Sequence, residues 1–411
     1  MRVYSEAATE KAMTRQEVIL RAYAKKISWL QAAEILGISA RHLRRIKQLY
    51  EQNGFHALFD GRFGKASPRR VPIETVEEVL RLYREEYFDF NVLHFHEKLV
   101  EQHRIEVSYT WTKCLLQTAG LVSKDKPRKK HFKRRPRRPL PGMLLHIDGS
   151  QHQWFGDERF FDLIVILDDA TGEIYYAQLV EAESTRSVML GIRQVIETKG
   201  VFCALYADRA SHFFLTPKAG EPVDKQSLTQ VGRALRELGI QLIPAYSPQA
   251  RGRSERSFRT WQGRLPQELR IRRITTINGA NRFLDKEYIG EFNQRFTVQP
   301  PMEGSAFAPC QRTDLKRIFS LQSERVVNRD NTVKYKNLLL QIDQQSWRGS
   351  LAGCRVMVYQ HFDETISLGF GAHSVGIYNS DGAALKPIIK KKKTSDEVKS
   401  LSETQTGHLM C

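Results

Sequence analysis

Cysteine, long apolar runs and acidic charge are all scarce in this sequence. The five cysteines, Cys114, Cys203, Cys310, Cys354 and Cys411, are widely spaced and match no zinc or disulfide pattern. That excludes a disulfide scaffold and suits a reducing compartment. No apolar run approaches the roughly 20 residues a membrane helix needs, and no signal-peptide pattern opens the chain. The expectation is a soluble, cytoplasmic protein with no membrane partner. Acidic residues number 46 against 64 Lys+Arg in 411 residues, a formal charge of +18 with pI ≈ 9.7. An excess of that size points to a polyanionic partner, most simply nucleic acid.

The positive charge is clumped rather than spread. "KDKPRKKHFKRRPRR" (124–138) holds ten basic residues and one acid, and lies in a segment, 123–141, too basic and Pro-rich to pack. It reads as a DNA-tracking linker, with Lys129, Lys130, Arg134, Arg135, Arg137 and Arg138 as phosphate contacts. Upstream, residues 10–60 carry three helical patterns. Two of them open on Ser caps, close on Gly37 and Gly54, and are joined by the short "GIS" link. That is a helix-turn-helix whose third helix offers Arg41, Arg44, Arg45 and Lys47 to DNA; an ordinary three-helix bundle with a basic surface is the alternative. Residues 72–122 repeat the helical theme with less charge, and Lys113 is their candidate contact. His94 and His96, two residues apart without a matching third ligand, read as packing residues.

The character changes at residue 142. "GMLLHIDGS", "RFFDLIVILDDATGEIYYAQLV", "VFCALYAD" and "IQLIPA" supply five strands, with helical patterns between and after them. A three-strand meander followed by alternating helices and strands predicts an α/β core over 142–297 with a mixed five-stranded sheet. A connector (298–325), a small β-barrel (326–385) and a disordered tail (386–411) complete a multidomain chain: all-α modules, an α/β core, then β.

Within the core, Asp148 ends the first strand and Asp208 the fourth. Glu255 stands on a helix in "SPQARGRSERSFRT", among Arg251, Arg253, Arg256 and Arg259. If the first and fourth strands are neighbours, the aspartates are adjacent and the helix can bring Glu255 over them. Three carboxylates beside a polyanion repel one another unless divalent cations lie between them. Hard oxygen donors suit two Mg²⁺ or Mn²⁺ ions, which can activate a water or 3′-hydroxyl at a phosphodiester. Arg251, Arg253, Arg259 and Gln249 would then contact DNA beside the cut. The doublet Asp168–Asp169 reads as a solvated turn, Asp157 and Asp162 as surface acids, and His146, Trp154 and Trp261 as core or surface residues without a catalytic part.

"HIDGS", "LYADRASHF" and "SPQARGRSER", spaced across one α/β unit, resemble the three signature blocks of the DDE transposase and retroviral-integrase superfamily. The likeness extends over most of residues 10–370 and is greatest to ISNCY-type bacterial insertion-sequence transposases. It implies an RNase H-like core, Asp148, Asp208 and Glu255 as catalytic and metal-binding triad, and Mg²⁺ or Mn²⁺ as cofactor, two ions per site. It implies double-stranded DNA, both element ends and target, as partner, a homodimer or higher oligomer in the synaptic complex, and a nucleoid-associated place in a bacterium. The chain departs from the pattern at Arg209, where Asn or Gly is frequent. A DNA-binding regulator on an inactive core, or a nuclease that cuts without joining, are the rival readings.

Overall fold

The computed structural model describes residues 4–60, 70–124, 136–215, 227–246 and 248–385; the side chains of residues 248–251 fall outside that description. The chain divides into two compact units between Leu82 and Tyr83. Among the described residues, no helix is long and apolar enough to cross a membrane.

The first unit is built on α1 (Glu6–Tyr23), α2 (Trp29–Ile35) and α3 (Ala40–Asn53), followed by a 3₁₀ turn, Gly54–Leu58. Ser28 caps α2 in a reciprocal capping box with Gln31, and Ser39 caps α3 through the His42 amide. Gly37, at φ +63°, makes the tight turn between them. Ile19, Ala32, Leu43 and Leu58 form the centre of a small apolar core. These are the helix-turn-helix elements that the caps predict. The helix α4 (Ile73–Glu85) spans the division between the units.

The second unit begins with α5 (Val92–Glu101) and α6 (Tyr109–Thr118) and continues into a mixed sheet. Its strands are β1 (Leu145–His152), β2 (Phe161–Asp168), β3 (Ile174–Val180), β4 (Ala204–Ala207) and β5 (Gln241–Pro244), in the order β3-β2-β1-β4-β5. The first three form an antiparallel meander; β4 and β5 run parallel to β1. This is the five-stranded mixed sheet expected of an RNase H-like core, with first and fourth strands adjacent. Strands such as "FDLIVILD" are apolar on both faces because helices cover both sides. On one side α7 (Thr185–Lys199) and α8 (Gln230–Glu237) bury Ile147, Ile164, Val188, Ile192 and Leu235. On the other lie α9 (Pro248–Gln262), α10 (Leu265–Ile271) and α11 (Ile277–Phe283). A single π-helical turn (Leu284–Tyr288) runs from α11 into α12 (Ile289–Phe296). They bury Trp154, Val165, Phe258, Trp261 and Phe292.

Two asparagines finish the β3 edge. Asn281 accepts from the Leu179 amide at 2.7 Å and donates to its carbonyl at 2.9 Å. Asn293 does the same to Ile174, at 2.8 Å in each direction.

The helix α5 joins the core through charge. His94 and Lys98 each reach Glu268 Oε1 on α10 at 2.6 Å, and Arg264 holds Glu97 with both Nη atoms. His96 bonds the Val107 carbonyl at 2.8 Å.

After the short α13 (Leu315–Ile318), the C-terminal part contains β6 (Leu321–Val326), β7 (Thr332–Tyr335), β8 (Leu338–Gln341), β9 (Arg355–Gln360), β10 (Ile366–Phe370) and β11 (His373–Tyr378). The barrel expected here is not closed: a four-stranded sheet, β11-β10-β9-β6, stands beside a separate β7–β8 hairpin. Closure needs every strand hydrogen-bonded on both sides. The hairpin instead contributes Val333, Tyr335 and Leu340 to the apolar core of Val356, Val358, Ile366 and Leu368, so it covers the sheet by side-chain packing.

Candidate active site

The register of β1 on β4 pairs Leu145 with Leu205 and His146 with Tyr206. Two residues further along each chain come Asp148 and Asp208, so the parallel ladder brings both carboxylates to the level where β4 ends; Asp148 does not end its strand as expected, because pairing with β2 carries β1 on to His152. Asp148 is buried, at 7% exposure, and Asp208 is half-buried. Asp208 Oδ1 accepts the Ala210 amide at 3.0 Å, an Asx turn that swings the chain away just past the strand. Arg209, the departure from the family pattern, turns outward and lies over the Tyr246 ring at 5.6 Å.

Glu255 arrives from the other side of the cleft. Along α9, Arg253 bonds Asp169 beside the start of β1, and Gln262 Nε2 bonds Ser150 Oγ near its end at 2.9 Å. The nine residues between these anchors rise about 13 Å in a helix, and the four from His146 to Ser150 span about 13 Å in a strand. The helix therefore lies along the strand, with Glu255 between its two anchor points. Ser254, Phe258 and Trp261 face the core, whereas Glu255, one position on from Ser254, is exposed. Among the described residues, no three His, Cys, Asp or Glu side chains stand close enough to hold a metal ion. Register thus pairs the two aspartates, while Glu255 stays on the exposed flank of its helix.

Two residues that sequence reasoning passed over adjoin this part of β1. A Cβ on Gly149 would meet the Glu183 carboxylate, which lies against β1 on the face opposite Asp148 and would have to swing aside. Glu183 Oε1 stands 2.9 Å from His212 Nε2 without hydrogen-bond alignment, and the Glu183 amide donates to Asp162 Oδ2 at 2.7 Å. The signals were present: a glycine directly after Asp148, and a histidine in "ADRASHF".

The Asp168–Asp169 doublet overturns an expectation. Asp168 does serve the turn, accepting from the Thr171 amide at 2.9 Å, but it also accepts from the Gly142 amide at 2.9 Å and is fully buried. Burial pushes its carboxyl above the usual carboxylate range. Asp169, 1% exposed, receives His146 Nε2 at 2.7 Å, the Arg138 amide at 2.8 Å and the Arg253 guanidinium. Burial raises its pKa, but these partners outweigh burial and hold it well below the usual range. Neither aspartate is a solvated surface group, because the chain entering the core folds back over the turn. Trp154 and Trp261 are fully buried core residues, and His146 is buried too. Asp157 pairs with exposed Arg159.

The remaining DNA-contact candidates separate by exposure. Arg41, Arg44, Arg45, Arg138 and Arg259 are exposed, and Lys113 is half-buried. Lys47 is held over the rings of Trp29 (4.7 Å) and Tyr23 (5.4 Å) and lies 3.7 Å from Glu51. Arg137 Nη1 caps the Asp169 and Ala170 carbonyls at 3.2 Å, and Arg253 points inward. Lys129, Lys130, Arg134 and Arg135 lie outside the described residues, as do the side chains of Gln249 and Arg251.

Residues 14–68 match the family model described as a helix-turn-helix domain. The chain is 28% identical over 405 residues to "Putative transposase y4bF" of Sinorhizobium fredii (strain NBRC 101917 / NGR234), covering 97% of this chain and 88% of that one. It is 29% identical over 359 residues to the transposase for insertion sequence IS1202 of Streptococcus pneumoniae, covering 79% and 77%. Among solved structures, the HTLV-2 integrase catalytic core domain in complex with magnesium (trimeric form) aligns with 36% of this chain and 88% of its own, at 16% identity and TM-score 0.27.

Proposed function

We propose that this chain is the transposase of an insertion sequence, a polynucleotidyl transferase that frees the 3′ ends of its element and joins them to target DNA. The observation that carries the reading is the β1–β4 register, which brings Asp148 and Asp208 to one level on a sheet whose one face bears the Glu255 helix. Similarity to two transposases, over 97% and 79% of the chain, supports it. The helix-turn-helix residues Arg41, Arg44 and Arg45 would bind the terminal repeats, with phosphate contacts giving a strongly salt-dependent affinity.

The carboxylates of Asp148, Asp208 and Glu255 are hard oxygen donors of the kind that suits Mg²⁺ or Mn²⁺, and Glu255, exposed on its helix, would have to close on the two aspartates to share an ion with them. When bound, such ions supply activation of the attacking oxygen and neutralisation of charge on the leaving oxygen. The chain's own part is positioning. The strand register fixes two carboxylates, α9 carries the third, and Arg256 and Arg259, exposed on that helix, hold the scissile phosphate against them. Water serves first and the freed 3′-hydroxyl second, so no covalent protein–DNA intermediate is required. Two ends act together, which calls for at least two copies of the chain.

The test is cleavage and joining of a labelled duplex carrying the element's end, in Mg²⁺ or Mn²⁺, with the native chain and with Asp208→Asn. The expected result is 3′-end cleavage and joining by the native chain only, with both proteins binding the duplex. Cutting without joining supports a nuclease; binding without cutting in either metal supports a regulator.

A further inference from the structure

We infer that Asp169 is a positioning residue for the active site, a buried carboxylate that sets the spacing between the strand of Asp148 and the helix of Glu255. Its consequence for catalysis rests on the transposase reading, whereas its geometry does not.

Three segments distant in sequence meet at this one side chain. His146, two residues before Asp148 on the same face of β1, donates to Oδ1 at 2.7 Å. Arg253, two residues before Glu255 on α9, reaches the same oxygen. The Arg138 amide, where the basic segment enters the core, donates to Oδ2 at 2.8 Å. The backbone is tied as well, since the Asp169 amide bonds the Leu144 carbonyl at 2.9 Å, immediately before β1.

An apolar residue here would fill the volume without fixing a distance. A carboxylate holding a guanidinium and an imidazole defines where helix and strand lie against each other. From these anchors Glu255 is about 3 Å further along the helix and Asp148 about 7 Å further along the strand. A slip of α9 is therefore passed directly to Glu255, and an error near 1 Å in a reacting geometry costs about a hundredfold in rate. The same contact takes Arg253 out of the set of phosphate contacts, because its side chain is only 17% exposed.

The test uses the full chain and Asp169→Asn, which keeps the size of the side chain and removes its charge. Amide hydrogen exchange over residues 252–262 is expected to quicken about tenfold, with α10 unchanged as the internal reference. Single-turnover cleavage at saturating end duplex is expected to fall about 10–100-fold, while the Kd for that duplex stays within about twofold. Arg253→Gln should give the same pattern, and the double variant should be no slower than the slower single one. If Asp169→Asn does not fold, His146→Gln carries the same measurements.

Unchanged exchange in α9 overturns the inference. So does an Arg253→Gln chain that binds DNA less tightly, with a salt slope smaller by about one, yet cleaves normally at saturation. Quickened α9 exchange in a chain whose native form cuts nothing leaves the geometric role standing and overturns the catalytic one, together with the transposase reading.

Discussion

Replacing Glu268 with alanine tests whether α5 is welded to the mixed-sheet core. Glu268 is 2% exposed and its partners His94 and Lys98 are 2% and 5% exposed. Burial raises the Glu268 pKa, but the His94 and Lys98 hydrogen bonds outweigh it and bring the pKa down from 4.5 to about 2. That drop corresponds to roughly 3 kcal/mol of stability. A second route gives a similar size: removing one partner of a buried ion pair costs about 3–5 kcal/mol, because the Lys98 ammonium stays buried without its counter-charge. Burial pushes the His94 pKa down despite its carboxylate partner, so His94 donates as a neutral imidazole and does not offset the loss.

Calorimetry at pH 7 should show Glu268→Ala lowering the unfolding midpoint of this unit by roughly 5 °C, with little dependence on salt. Glu364→Ala, which breaks the exposed pair with Arg186, should cost less than about 1 kcal/mol. The carboxylate's folded pKa lies below its unfolded one, so its contribution is complete above about pH 4.5. It disappears as pH falls toward 2, and native and variant midpoints should converge over that window. Lys98→Met added to Glu268→Ala should restore part of the loss. A Glu268→Ala midpoint no lower than that of Glu364→Ala, or a gap that persists at pH 2, would refute the buried-charge account.

Other consequences can be checked on the same footing. Gly149→Ala should displace the Glu183 carboxylate, the end of a flexible half-buried side chain, and cost no more than about 1 kcal/mol. Gly149→Ala combined with Glu183→Ala should unfold at a higher temperature than Gly149→Ala alone, since the clash is then removed. In the helix-turn-helix, Arg45→Ala should lower the salt slope of DNA binding by about one at unchanged stability. Lys47→Ala should instead lower the unfolding midpoint of the first unit, because that ammonium sits on Trp29 and Tyr23.

Local features of this chain were legible from sequence, and long-range ones were not. Ser28, Ser39 and Gly37 mark their helices because capping is decided within a few residues. The pairing of Asp148 and Asp208 could be stated only on the condition that the first and fourth strands are neighbours, and the sheet order β3-β2-β1-β4-β5 meets that condition. Burial of Asp169 could not be read in this way: "DDATGE" has the composition of an exposed turn, and what covers it comes from Arg138 and Arg253. His94 was placed correctly as a packing residue, yet its partner, Glu268, is 174 positions away. Nor could exposure tell Arg253 from Arg259 in advance, since both stand in one arginine-rich run and only α9's orientation on β1 turns the first inward.

The paired asparagines on β3 bear on how copies of this chain can meet. An edge strand ordinarily offers its free amides and carbonyls to any extended segment, including the same strand of a second molecule. Asn281 and Asn293 each occupy one donor and one acceptor there, as a neighbouring strand would, but from helices that cannot themselves be extended. Their separation of twelve residues, about 18 Å of helix, matches the five residues from Ile174 to Leu179, about 17 Å of strand. Growth of a continuous intermolecular sheet from β3 is thereby blocked, and any contact between copies of this chain has to use other surfaces.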